Sequence, residues 1–220
     1  MKTYSFAYGS GTVELPLDEK NVIGELHGNA VAPLADIRTA LWASLDAPID
    51  SAPLCERAKA SDTVALVVSD MTRFWMRQDL VVPHLVDYLT ERCSVREEDI
   101  TIVIANGTHI GGDEQELRTL VTDAVYDRVK VKNHDCEAKD LVYLGTTPHG
   151  TPVSIDRTAA EADLVVCLGA VTHHVMAGFG GGRKSILPGI SGRETIFHNH
   201  AFSLDAAQLR SNPAIGNGVL

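Results

Sequence analysis

Three short apolar runs set the rhythm of this chain. Residues 63–68 (TVALVV), 101–105 (TIVIA) and 164–168 (LVVCL) are nearly continuous in aliphatic side chains. A strand with one wet face alternates, whereas an unbroken run suits a strand covered on both faces, as in a parallel sheet. Each run gives way to a polar loop: Ser69-Asp70-Met71-Thr72-Arg73, then Asn106-Gly107-Thr108-His109-Ile110-Gly111-Gly112, then a glycine-rich stretch from Ala170. The first two loops lead into helical spacing. One helix is predicted from about Pro83 to Arg92, with Leu85, Val86 and Leu89 inward, and another over EQELRTLV with Asp113 as its N-cap. Residues 129–131, 141–144 and 153–155 are weaker strand candidates. Upstream, residues 3–15 alternate weakly around Tyr8-Gly9-Ser10-Gly11, which predicts a hairpin, and residues 21–26 suggest one more strand. Ile37, Leu41 and Leu45 then recur at helical spacing before Pro48 and Pro53 mark a loop.

Strand, polar loop and helix in repeated order predict an α/β fold. It has a mostly parallel sheet flanked by helices, ligand loops at the strand carboxyl ends, and a small N-terminal β element. Ligands bind such sheets outside the carboxyl ends of the strands. The three polar loops are therefore predicted to converge on one crevice.

Composition narrows the partners. The 220 residues are 45% hydrophobic and 22% charged, enough for a sizeable core. A net charge of −10, with no long Lys/Arg run, argues against nucleic acid or an anionic membrane. Cys55, Cys93, Cys136 and Cys167 lie far apart without a C-x-x-C, so they read as reduced, mostly buried thiols. The N-terminus lacks a signal-peptide core, and no apolar run reaches the ~18 residues that span a bilayer. A cytoplasmic protein is expected.

The candidate chemistry sits in the three loops. In Asp70-x-Thr72-Arg73 the guanidinium suits a carboxylate or phosphate, the hydroxyl adds a hydrogen bond, and the aspartate orients a ribose hydroxyl or the arginine. The plain alternative is a helix-entry turn with a surface ion pair. His109, on a glycine loop, is free to act as general acid or base, or is simply a solvated histidine. The third segment, from Ala170 to His200, holds His173, His174, His198, His200 and the adjacent Arg183 and Lys184. Gly178-Phe179-Gly180-Gly181-Gly182-Arg183-Lys184-Ser185 misses the P-loop pattern, because Arg183 stands at its second glycine and Pro188-Gly189 would break the following helix. A nucleotide-binding phosphotransferase using Arg183 and Lys184 is thus the weaker enzyme reading, and a non-catalytic metal- or cofactor-binding module a third. The four histidines also invite a zinc site, but no further ligand is singled out. A His-x-His on a helix points its two rings apart, so one of His198 and His200 is expected to be structural.

Taken together, SDMTR, ANGTH, HHVMAGFGGGRKSILPG and ETIFHNH resemble the nickel-dependent lactate racemase family in its N-terminal domain. The motifs occur in the family's order and extend over essentially the whole chain. The resemblance implies a nickel-pincer nucleotide, a pyridinium mononucleotide with sulfur-containing arms, joined covalently to Lys184, with His200 completing the nickel. It implies His109 and His174 as the acid/base pair, with His173 the lesser candidate, and Asp70, Thr72 and Arg73 as cleft residues that contact substrate or cofactor. The implied reaction racemises or epimerises a small-molecule 2-hydroxy acid by hydride transfer to and from the cofactor. A metal held mainly by its cofactor accords with a chain lacking a multi-ligand motif.

The chain departs from the pattern at Phe74-Trp75-Met76-Arg77, where lactate racemases continue with a proline-containing stretch. That points to a lactate-like or sugar acid other than lactate itself. The resemblance further implies cofactor maturation enzymes as partners. It makes residues 1–220 an N-terminal cofactor-binding domain, with a C-terminal domain or second subunit expected to cover the cleft.

Overall fold

The computed structural model describes residues 1–174 and 177–204. Two units divide the chain, Met1–Ala35 and Asp36–Leu220. In the first, β1 (Lys2–Tyr8) and β2 (Gly11–Leu17) form the predicted antiparallel hairpin, Lys2 opposite Leu17 and Tyr8 opposite Gly11. Gly9, at φ +58°, supplies the left-handed turn. Glu25 accepts a 2.8 Å hydrogen bond from the Tyr4 hydroxyl and pairs with Lys2, tethering the following segment to β1. No strand forms over 21–26: Glu19–Asn21 is a 3-10 turn capped by Asp18, and Gly24 interrupts the apolar pair Val22-Ile23 before pairing can begin.

The second unit opens with α1 (Ile37–Asp46), capped by Asp36, which accepts from Thr39 N at 2.7 Å. There follow α2 (Leu54–Arg57) and β3 (Val64–Ser69), two 3-10 turns, and α3 (Val82–Asp87), which continues as a π turn to Arg92. Next come β4 (Ile100–Ala105), α4 (Glu114–Val121), α5 (Asp123–Tyr126) and β5 (Lys130–Asn133). Asp113 caps α4 as predicted, accepting from Glu116 N at 2.9 Å. β6 (Val142–Thr146) pairs antiparallel with β7 (Pro152–Ile155), and α6 (Arg157–Glu161) leads into β8 (Leu164–Cys167). A two-residue ribbon of β9 (His173–His174) and β10 (Gly178–Phe179) precedes α7 (Arg193–Ala201).

The main sheet is parallel throughout, in the order β5-β4-β3-β8. Val64 to Val68 of β3 are at most 2% exposed, as the unbroken apolar run requires. Val64, Leu66 and Val68 join Ile100, Ile102 and Ile104 in a large cluster with α3 and α4, while Ala65, Val67 and Val103 meet Ala159 and Ile190 on the other face. β8 differs: it is an edge strand, and Val165 is 37% exposed. Register places Ser69 beside Ala105, so the loops after β3 and β4 leave the sheet at one level.

The cysteines require a correction. Cys55 and Cys93 are joined as a disulfide, 38 residues apart with Cα atoms at 4.8 Å, while Cys136 and Cys167 are free. The pairing arises because α2 packs beside the end of the α3 π turn, a tertiary contact that spacing along the chain does not signal.

Candidate functional site

A cleft of about 350 Å³ opens where β3, β4 and β8 end. Its lining includes Asp70, Arg73, His109, His174, Lys184 and His200, residues spread over 130 positions of sequence. Thr72 lies outside that lining. It acts through Asp70, donating from its hydroxyl to Oδ1 at 2.6 Å, and borders a second cavity of about 450 Å³ that shares Asp70, Asn106, Thr108 and His109.

The His109 loop is fastened by side chains. Asn106 donates from Nδ2 to Asn133 Oδ1 at 3.0 Å and to the His134 carbonyl at 3.1 Å, and Asn133 in turn donates to the Gly112 carbonyl at 2.7 Å. Both ends of the loop are thus clamped to the end of β5. At its middle, His109 Nδ1 lies 2.5 Å from Asp70 Oδ2. Asp70 itself is only 6% exposed.

The segment with Lys184 is fastened by backbone. Gly181 sits at φ +78° with its α-carbon so close to Ala170 that a Cβ would stand 2.9 Å from the carbonyl oxygen. Gly180 N donates to the Thr172 carbonyl at 2.7 Å and Gly107 N to the Gly189 carbonyl at 2.9 Å, which ties this segment to the His109 loop. Gly182–Ser185 makes one 3-10 turn, and a cis Leu187-Pro188 bond follows rather than the helix a P-loop needs. Burial, and then the neighbouring Arg73 guanidinium, pull the Lys184 ammonium down to about 8. Burial, with Lys184, Arg73 and His200 nearby, likewise lowers His174 from the ordinary imidazole value.

The paired histidines separate. His174 lines the cleft, whereas His173 packs its exposed ring on Phe179, 5.2 Å between centroids. Val175 and Met176 of the same motif lie outside the described residues. On α7, His200 reaches the cleft while His198 turns to Thr151 Oγ1 at 3.1 Å and to the Phe202 ring. His200 Nδ1 donates to the Ile196 carbonyl at 2.9 Å, which leaves its Nε2 lone pair available to a metal, a common arrangement for histidine ligands. Among the described residues no three His, Cys, Asp or Glu side chains converge as a metal cage.

Asn133, His134 and Asp156 had no signal in the sequence. His134 is buried, with Nε2 donating to the Ser191 carbonyl at 3.0 Å and Nδ1 at 3.3 Å from Asp156, and Lys132 Nζ reaches Asp156 at 3.0 Å. This cluster anchors the turn that enters α7, and through it His200. Trp75, Met76 and Phe197 add apolar surface to the cleft.

A family model described as the lactate racemase N-terminal domain matches residues 8–211. A lactate racemase of Lactiplantibacillus plantarum is 31% identical over 205 residues, covering 91% of this chain and 47% of that protein. One from Thermoanaerobacterium thermosaccharolyticum is 28% identical over 223 residues, covering 100% of this chain and 50% of the relative. The apoprotein structure of a lactate racemase from that organism superposes with a TM-score of 0.80 at 28% identity, over 100% of this chain and 50% of the other. A Thermotoga maritima protein, 22% identical with a TM-score of 0.63, shares the fold over 83% of this chain and 44% of its own. The chain spans about half the length of the curated relatives it matches.

Proposed function

Because the chain belongs to the lactate racemase N-terminal domain family, we propose that residues 1–220 are the cofactor-binding domain of a nickel-dependent 2-hydroxy acid racemase or epimerase. One observation carries this reading: a desolvated lysine amine, a histidine with a free Nε2, an arginine and two further histidines border one cleft. Lys184 would hold the nickel-pincer nucleotide covalently, its lowered pKa making the amine a competent nucleophile near neutral pH. His200 would ligate nickel through Nε2. When bound, the group supplies a reversible hydride acceptor for the substrate's Cα.

The chain's own residues do the rest. Arg73 binds the substrate carboxylate with its guanidinium. His109 and His174 handle the 2-hydroxyl proton. The cleft is open, and a C-terminal domain or second subunit would exclude water and fix the substrate. Maturation enzymes would be needed to install the cofactor. No helix among the described residues is long and apolar enough to cross a membrane, and a cytoplasmic setting completes the reading.

The test is to produce the protein alongside cofactor-building enzymes and measure intact mass and nickel. Wild type should carry nickel and added mass on Lys184, His200→Ala should keep the mass and lose the metal, and Lys184→Ala should lose both. Stoichiometric nickel in His200→Ala would defeat the assignment, and ATP binding with neither metal nor adduct would favour the phosphotransferase.

A further inference from the structure

The proposed reaction assigns two of the groups on the substrate's Cα, the carboxylate to Arg73 and the 2-hydroxyl to His109 and His174, and leaves the third substituent without a partner. The cleft has surface left for it. Trp75 and Phe197 line the cavity and are 60% and 54% exposed, and Met76 joins them. Position ties this apolar surface to the reacting groups. Trp75 and Met76 follow Arg73 in the turn Met71–Met76, and Phe197 precedes His200 by three residues on α7, which puts the two on neighbouring positions of one helix face. Phe74 of the same turn packs against the core, whereas Trp75 and Phe197 stand outside both core clusters. Phe197 is braced by the Arg193 guanidinium, 4.9 Å from its ring centroid.

We propose that this chain takes a 2-hydroxy acid with a bulky apolar substituent on Cα, such as an arylmethyl group, and that Trp75, Met76 and Phe197 form the subsite that receives it. The substrate class so named rests on the racemase reading of the same cleft. Aromatic rings offer large rigid faces, and a thioether adapts to the outline of what it meets. A methyl group like that of lactate covers little of such a surface. The hydroxyls of a sugar acid would lose water against it and find few hydrogen-bond partners in return. Of the two acid types expected from Phe74-Trp75-Met76-Arg77, the apolar surface therefore selects the lactate-like one, with a larger tail. Small-molecule sites commonly divide the work in this way, a few polar groups fixing orientation and apolar walls taking the rest of the ligand.

Binding decides the matter without cofactor or turnover. The chain is titrated by calorimetry with phenyllactate, lactate and gluconate, acids that share the carboxylate and 2-hydroxyl and differ in the tail. Phenyllactate should bind about tenfold more tightly than lactate, the low end of what hydrophobic pockets gain from added carbon because the cleft is open, and gluconate no better than lactate. In saturation-transfer NMR the phenyl protons should receive more saturation than the Cα proton. Trp75→Ala and Phe197→Ala should each narrow the preference for phenyllactate several-fold and leave lactate binding unchanged. Both side chains are exposed, so neither truncation opens a core cavity. Equal affinities for phenyllactate and lactate, tightest binding of gluconate, no binding of any of the three, or a preference unmoved in both variants would overturn the proposal. Such a failure in a chain that still acquires nickel and added mass leaves the racemase reading standing with a different substrate. Phenyllactate bound as expected by a chain that acquires neither would sink the racemase reading and keep the aryl subsite.

Discussion

The His109 loop and the Lys184 segment line one cleft and are built by different means. The first is clamped by amide side chains, Asn106 and Asn133, whose every bond can be lost by one substitution. The second is held by backbone laid against backbone, where glycine is needed because nothing larger fits. Side-chain clamps set the direction of a ring. Close backbone packing strips water from what it encloses, which is what Lys184 experiences.

The contrast breaks most severely at Gly189. An alanine Cβ there would lie 2.1 Å from the Ser185 carbonyl oxygen and 2.9 Å from the Ala105 Cβ, atoms of the turn and strand that cannot rotate away. Gly189→Ala should cost about 3 kcal/mol, the upper end of the ~1–3 usual for overpacking. Gly182→Asn is the comparison, since Gly182 has φ +53° with nothing within 4 Å of a Cβ and asparagine tolerates that conformation. Urea denaturation measures both. Equal losses would mean that backbone contact does not fix this segment.

Next in size is Asp156. Burial opposes its charge, yet hydrogen bonds from His134 and Lys132 prevail and hold the carboxyl well below the usual range. Its folded pKa is below the unfolded ~3.9, so the stabilisation is present above about pH 4 and is lost as pH falls through the folded value. Asp156→Asn should cost about 2 kcal/mol at pH 7, less than the ~3–5 of a fully buried pair because Lys132 is partly exposed. The two proteins should converge as acid is added below pH ~4. A constant difference down to pH ~2 would remove the ion pair from the account.

The sheet was legible because an unbroken Val/Ile/Leu run has few physical alternatives, and Asp113 because an N-cap is a local device. The cleft histidines were legible as a group, since glycine beside histidine makes poor core. What the pattern could not supply was pairing. Residues 21–26 read as a strand on composition alone, and strand status depends on a neighbour that this segment lacks. Asn133, His134 and Asp156 look like ordinary polar residues until folding brings β5, α6 and the α7 entry together. The same holds for Cys55 and Cys93. Asp70, singled out as a ligand contact, lines the cleft and also bonds to Thr72 and His109, a pairing the sequence did not indicate.

The last effect concerns Lys184 and sharpens the contrast most. With a folded value of about 8 against 10.5 for an ordinary lysine, the unfolded chain binds more protons between those two pH values, so this residue makes stability rise with pH across that window. Protonation below pH ~8 is a cost to the folded state, and Lys184→Met should remove the cost and flatten the rise. Amine labelling of the cofactor-free chain gives a direct readout: at pH 7 roughly a tenth of Lys184 is unprotonated, far more than of an exposed lysine. Its labelling midpoint should fall near 8, and Arg73→Leu should raise it only modestly, because burial ranks ahead of the guanidinium among the causes. If the midpoint instead returned to the ordinary lysine value in Arg73→Leu, charge rather than backbone-imposed desolvation would be what prepares this amine. A normal midpoint in the wild type would show that the glycine-packed wall does not exclude water at all.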